Sequence, residues 1–206
     1  MSFRRLALAA LLLTSVARAQ NLADYYVNGL TGQDIPGNGL TPSTAWKTIT
    51  YAISQIPPIN NPTQWNTLYV EGNQVYSPST NGETLPIQPS YNLWIEGRFP
   101  QGSLPVIRAT AGGVGVQFSP TITFSRNEST MRYLVFEGGA YGMVMGNSAN
   151  QRHRPRIQDC VFRGQTVAGV RVNNANNSRG IDPRFFQTLF SAAPRGIEIV
   201  ASVPGA

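Results

Sequence analysis

Cysteine occurs once among the 206 residues, at Cys160, so no disulfide can form within the chain and packing must hold the fold together. Histidine also occurs once, at His153, which leaves histidine-based metal clusters and a Ser-His-Asp triad poorly supported. Lys47 is the sole lysine; the other basic residues are arginines, and they form no long basic run. Nucleic acid is therefore not expected as a partner. The aspartates are Asp24, Asp34, Asp159 and Asp182, scattered in unrelated contexts, whereas a carboxylate calcium site needs them clustered. The glycine-rich stretches lack the Gly-Lys-Ser/Thr ending of a phosphate-binding loop. No cofactor and no metal is implied. Beyond the first residues, no segment is apolar enough to cross a bilayer, which takes about 20 residues.

The first residues are a case apart. Met1 to Arg5 is basic, Leu6 to Val16 is almost unbroken apolar sequence, and Ala17-Arg18-Ala19 is a small-x-small cleavage pattern before Gln20. Residues 1–19 read as a secretory signal peptide, which places the protein outside the cell or in the periplasm. Removing them deletes Arg4, Arg5 and Arg18 and lowers the net charge from +6 to +3. Residues 20–206 are enough for one domain with its own core.

What the chain does have is a repeat. Leu134 to Met145, Cys160 to Val172 and Thr188 to Ile199 follow one pattern: Phe136, Phe162 and Phe190 recur at intervals of 26 and 28, and Gly142, Gly169 and Gly196 at 27 and 27. Two short alternating runs per unit, without helical periodicity, describe the coil of a parallel β-helix, in which each coil buries its apolar residues only by stacking on its neighbours. The alternation turns Leu134 and Phe136, Cys160 and Phe162, and Thr188 and Phe190 inward, with Met143/Met145, Val170/Val172 and Ile197/Ile199 inward on the second strand. Cys160 is then a small core residue rather than a nucleophile. The same register sets Glu137 beside Arg163 and Arg171 beside Glu198, and aligns Asn147 with Asn174 as a possible amide ladder.

Ahead of the repeats, Asp24–Asn28 reads as a strand and residues 29–44 as a loop rich in glycine and proline. Asp34 and Asn38 in that loop are read as turn residues bonding their own backbone, in preference to cation ligands. Between Thr44 and Ile56, Trp46, Ile49, Ile53 and Ile56 fall on one helical face; Ser43 or Thr44 is the expected N-cap, and Pro57-Pro58 the stop. A helix in that place suits a lid over the first coil. Residues 20–60 thus form strand, loop and cap helix, and residues 61–206 the coils. Among the early coils, Leu68–Gly72, Leu93–Gly97 and Leu134–Gly138 share one form; further strands are expected at Pro105–Thr110, Gly115–Phe118 and Ile122–Phe124. Glu71 and Glu96 would then stack one coil apart, the one carboxylate pair available for hydrolysis. Val203–Ala206 follows a strand directly, so further coils or a partner are expected to close that end.

The opening, Asp24-Tyr-Tyr-Val-Asn-Gly-Leu-Thr-Gly-Gln-Asp34, Pro36-Gly37 and Ala45-Trp-Lys-Thr-Ile-Thr-Tyr-Ala-Ile53, resembles that of exported bacterial proteins of the pectin-lyase-like superfamily. The resemblance covers residues 24–56. It implies an all-β, right-handed parallel β-helix behind an N-terminal amphipathic capping helix. Members include polysaccharide lyases, in which a lysine or arginine removes a proton beside a uronate carboxylate neutralised by calcium; the scattered aspartates here do not match that site. The expectation is therefore a secreted or surface module that binds an acidic polysaccharide without a complete catalytic site of its own. The candidate binding residues are Arg152, Arg154, Arg156, Arg163 and Arg171, whose guanidinium groups suit carboxylate or sulfate, with Tyr141 as a stacking ring. A lyase or hydrolase, and a purely structural or adhesive solenoid, are the alternatives.

Overall fold

The computed structural model describes residues 20–59, 61, 63–90, 92–99, 102–118, 129–146, 154–174 and 181–201. The expected signal peptide, the expected strand Ile122–Phe124, Asn147, the side chain of Asn174 and the closing residues 202–206 lie outside these.

Strand β1 (Gln20–Val27) leads through a long loop and a short 3-10 turn at Pro42–Thr44 into the helix α1 (Ile49–Gln55). Successive turns of the chain follow. The first holds β2 (Gln64–Glu71) and β3 (Val75–Tyr76), and is completed by a bridge from Ile87 to Val116. The next holds β4 (Leu93–Arg98), β5 (Val106–Ala109) and β6 (Val114–Phe118). Then come β7 (Thr130–Arg132), β8 (Val135–Gly138) and β9 (Tyr141–Gly146), followed by β10 (Arg156–Gln158), β11 (Val161–Arg163) and β12 (Ala168–Asn174). The last described turn is β13 (Arg184–Phe186), β14 (Leu189–Ser191) and β15 (Ile197–Ala201). The strands pair in parallel and sort into three sheets: β1-β2-β4-β7-β10-β13, then β3-β5-β8-β11-β14, then β6-β9-β12-β15. The result is the expected parallel β-solenoid, of about four turns.

Its core is built from columns of like residues. Phe136, Phe162 and Phe190 lie in register, their rings stacked at centroid separations of 4.7 and 5.1 Å. Met131, Ile157, Met143, Met145, Val170 and Val172 are buried around them. The recurring glycines have a packing cause: a Cβ on Gly142 would lie 2.6 Å from Phe162 Cδ1, and one on Gly169 would lie 2.6 Å from Phe190 Cδ1. Phenylalanine and glycine therefore repeat together, because each ring fills the space that the preceding coil's glycine leaves. Cys160 is a core residue as expected; burial pushes its thiol up to about 12, well away from the reactive range.

The corners repeat as well. Tyr133, Asp159 and Gln187 carry φ of 58°, 51° and 47° between the first and second sheets. Gly138, Gly164 and Ala192 carry 70°, 69° and 54° between the second and third. A left-handed residue at each of these corners, followed at Gly138 by a second at Gly139, turns the chain onto the next face.

Three expectations are corrected. The helix begins at Ile49 and its N-cap is Thr48, whose side chain accepts from Tyr51 N; Trp46 precedes it as a bridge partner of Val27, stacked on Tyr25. Asp34 is the reason: it accepts from Lys47 N, Thr48 N and Thr48 Oγ1, which fixes extended backbone where the apolar spacing alone continued the helix. Second, Leu68 pairs with Ile95 rather than Leu93, and Leu134–Gly138 belongs to a different sheet from Leu93–Gly97. Glu71 thus faces Arg98, and the expected Glu71/Glu96 stack does not exist. Third, Ile197 and Ile199 occupy the inward columns but are 40% and 71% exposed.

Candidate functional site

The five candidate binding residues among those described, Arg154, Arg156, Arg163, Arg171 and Tyr141, are dispersed around the solenoid. Arg152 lies outside the described residues, as does His153. Arg156 projects from β10 on the outer face of the first sheet, with its guanidinium 4.5 Å from the ring centre of Phe186; Arg154, just before that strand, approaches Asp182 at 3.5 Å. Arg163 is on the second sheet, where it and Arg108 grip Glu137 from either side at 2.6 Å. Hydrogen bonds from Arg163 and Arg108 outweigh the upward pull of burial and hold the Glu137 carboxyl below its ordinary value. Arg171 is on the third sheet, donating to Tyr141 Oη at 2.8 Å with its guanidinium 5.4 Å from that ring. Arg171 and Tyr141 are thus brought together, but each occupies the other, and the Tyr141 ring is not offered to a ligand.

A different concentration of chemistry lies on the outer face of the first sheet. Outward positions form two columns across its strands. One runs Asp24, Thr67, Trp94, Thr130, Arg156, Arg184; the other runs Tyr26, Tyr69, Glu96, Arg132, Gln158, Phe186. Over β1, β2 and β4 these residues line an open groove of about 630 Å³ with Asp24, Tyr26, Tyr69 and Glu96 along it. Arg98, Phe99 and Tyr133 also line it. Tyr26 and Tyr69 stack at 5.5 Å, and the Arg98 guanidinium sits 5.5 and 5.9 Å from their ring centres. Trp65 and Trp94 stack at 4.5 Å beside them, and Arg132 lies over Trp94 and Tyr133. Parallel strands in register place side chains about 4.8 Å apart from turn to turn, the spacing at which flat rings stack.

The charges along this face are unequal. Glu96 is paired with Arg132 at 2.5 Å, and Asp24 accepts from Asn21 Nδ2 at 2.7 Å. Burial, then the charges of Asp24 and Glu96, push the Tyr69 phenol upward, so it stays a neutral O–H. Two rows further on, Arg156 and Arg184 are direct register partners, both exposed, and neither forms an ion pair with a described residue. Like charges directly opposed across a ladder are destabilising. Among the described residues no group of three or more His, Cys, Asp or Glu could hold a metal ion.

The groove was missed at the level of sequence because its residues are spread from Asp24 to Tyr133 and meet only through the register. A signal was present: aromatic residues recur at outward parity in successive early strands, at Tyr26, Tyr69 and Trp94. The two-residue slip between Leu68 and Leu93 hid it. Comparison with protein-family models, with curated proteins and with solved structures finds no match to this chain.

Proposed function

We propose that the protein is an exported glycan-binding solenoid whose binding surface is the outer face of the first sheet, and that it takes an acidic polysaccharide without carrying out chemistry on it. The observation that carries this reading is the alignment, on one face, of an aromatic and hydroxyl-rich groove with the register pair Arg156 and Arg184. An extended polymer laid along the solenoid axis meets the groove first and then two guanidinium groups whose mutual repulsion a bound carboxylate or sulfate relieves. The likeness of residues 24–56 to the pectin-lyase-like superfamily, and the signal-peptide pattern at the start of the chain, support an exported protein acting on or beside polysaccharide. Export and superfamily membership are part of the proposal.

Hydrolysis is the weaker reading. Asp24 and Glu96 line the same groove, but Glu96 is engaged by Arg132 and Asp24 accepts from Asn21, so both carboxylates already have partners other than each other. The test is retention on immobilised alginate. The Arg156→Ala/Arg184→Ala protein should elute at clearly lower salt than the wild type, with Arg163→Ala, altered on another sheet, eluting like the wild type. Equal retention of all three proteins overturns the assignment of the face.

A further inference from the structure

The two halves of the first-sheet face differ in charge, and the difference bears on what the polymer must look like. The groove over β1, β2 and β4 carries two carboxylates, Asp24 and Glu96, against Arg98, whose guanidinium is seated over the rings of Tyr26 and Tyr69. Arg132 is committed to Glu96. A carboxylate or sulfate entering there meets the negative charge of Asp24, while Glu96 is offset by Arg132. A neutral sugar instead finds two carboxylates able to accept from its hydroxyls, the Tyr69 phenol kept as a donor, and apolar ring edges against its C–H faces. The opposite holds at Arg156 and Arg184, which are exposed, in register and without an ion-pair partner among the described residues.

Taking the face as a glycan site, we infer that its ligand is a mixed polymer: neutral sugars fill the groove, and an anionic substituent lies over Arg156 and Arg184. The separation is set by the ladder. From β4 through β7 to β10 there are two strand steps, which at about 4.8 Å each puts the anionic group on the order of 10 Å beyond the last row of the groove. A uniformly anionic chain satisfies only the arginine end and carries its charges into the carboxylate-lined end. A uniformly neutral chain satisfies only the groove.

Titration calorimetry with three defined probes tests this: a neutral cello-oligosaccharide, a galacturonate oligomer charged at every residue, and a xylo-oligosaccharide bearing a single glucuronate. The single-acid probe should bind at least about tenfold more tightly than either of the others. The Arg156→Ala/Arg184→Ala protein should bind the single-acid and neutral probes alike. Asp24→Asn should selectively strengthen binding of the fully charged oligomer, by removing a like charge from the groove. Should the fully charged oligomer bind wild type most tightly and Asp24→Asn leave its affinity unchanged, the mixed-polymer inference falls while the glycan reading stands. Should none of the three probes bind at millimolar concentration, the glycan reading falls and takes this inference with it.

Discussion

At the helix-bearing end of the solenoid, several buried polar side chains each satisfy particular backbone groups, whereas from β7 to β15 one such bond, Gln165 Nε2 to Phe136 O, stands beside core columns in which like side chains meet turn after turn. Glu83 is 2% exposed and accepts from Ile49 N at 2.7 Å and Thr50 N at 2.9 Å, closing the start of α1. Asn81 receives Ser77 N and donates to Lys47 O. Asn92 donates to the carbonyls of Ile59 and Asn61, and Asn66 to that of Pro57. None of these bonds recurs in another turn among the described residues. In the regular turns the matching roles are filled by the phenylalanine column and by Glu137 between Arg108 and Arg163. The irregular end is specified by unique polar contacts, and the regular end by repetition. The two should therefore fail in different ways when one residue is changed.

The largest effect is expected in the regular turns. Phe162 is stacked on both sides and fully buried, so Phe162→Ala opens a cavity between two coils and should cost about 3–5 kcal/mol in urea denaturation. Among the described residues Phe190 has a stacked ring neighbour on one coil side, and it is half-buried, so Phe190→Ala should cost clearly less. Equal losses at the two positions would break the account of the core as a ladder whose interior rungs matter most.

Next comes the irregular end. Glu83→Ala leaves the buried Ile49 N–H without an acceptor, at about 1–3 kcal/mol, and the part-buried Thr50 N–H at a smaller cost, so a loss of about 2–4 kcal/mol is expected from the thermal midpoint. Asn92→Ala removes donors from two carbonyls that retain a second lone pair, and should cost less. If Glu83→Ala proved neutral, the cap would be held by its apolar contacts, Ile49 and Ala52 against Trp46 and Val27, and the distinction drawn between the two ends would lose its basis.

How much of this was open to reading follows the same division. The stacking of Phe136, Phe162 and Phe190, the burial of Cys160 and the pairing of Glu137 with Arg163 all follow from a period that local alternation fixes, and all three are seen. The second grip on Glu137 by Arg108 was not foreseen, because the preceding coil carries Ile107 where the later coils carry phenylalanine and so drops out of the sequence repeat. The helix start failed for a related reason: the side chain that sets it, Asp34, comes from a loop, and no spacing rule reports which backbone groups a loop carboxylate will reach. The groove failed most completely. It depends on pairing Leu68 with Ile95 instead of Leu93, and in strands where Leu, Val and Ile alternate with aromatics, a slip of two residues preserves the inward and outward faces while changing every outward neighbour.

The pH response separates the ends by sign. Burial raises the Glu83 carboxyl above its ordinary value of 4.5 despite the bonds it accepts. Its linked contribution is present below 4.5 and is lost as pH rises through the raised value. Glu137 is lowered, so its contribution is present above 4.5 and is lost as pH falls through the lowered value. Stability curves between pH 3 and 7 should therefore shift in opposite senses in the single variants. Relative to wild type, Glu137→Gln should lose less on acidification, by no more than about 1 kcal/mol for so exposed a cluster. Glu83→Gln should lose more, because it discards the group that favours the folded state at low pH. Shifts of the same sign would show that one of the two carboxyls is not in the environment described.

The smallest effect concerns the corners, and it tests whether repetition reaches the backbone. Gly138, Gly164 and Ala192 occupy one position on successive turns, each at positive φ. Only the last carries a Cβ, in a conformation that costs an L-residue about 1–2 kcal/mol. A Cβ on Gly164 would have open space, with nothing nearer than 4.0 Å, so its penalty is conformational rather than steric. Gly164→Ala should accordingly destabilise by about 1 kcal/mol. Ala192→Gly should stabilise by about 0.5 kcal/mol, since relief of the left-handed strain is offset by the greater freedom of glycine in the unfolded chain. The two substitutions interchange the same residues at equivalent corners, and their effects should be opposite in sign. Matching signs would mean that each turn sets its own corner, and that regularity in this molecule belongs to the side-chain columns alone.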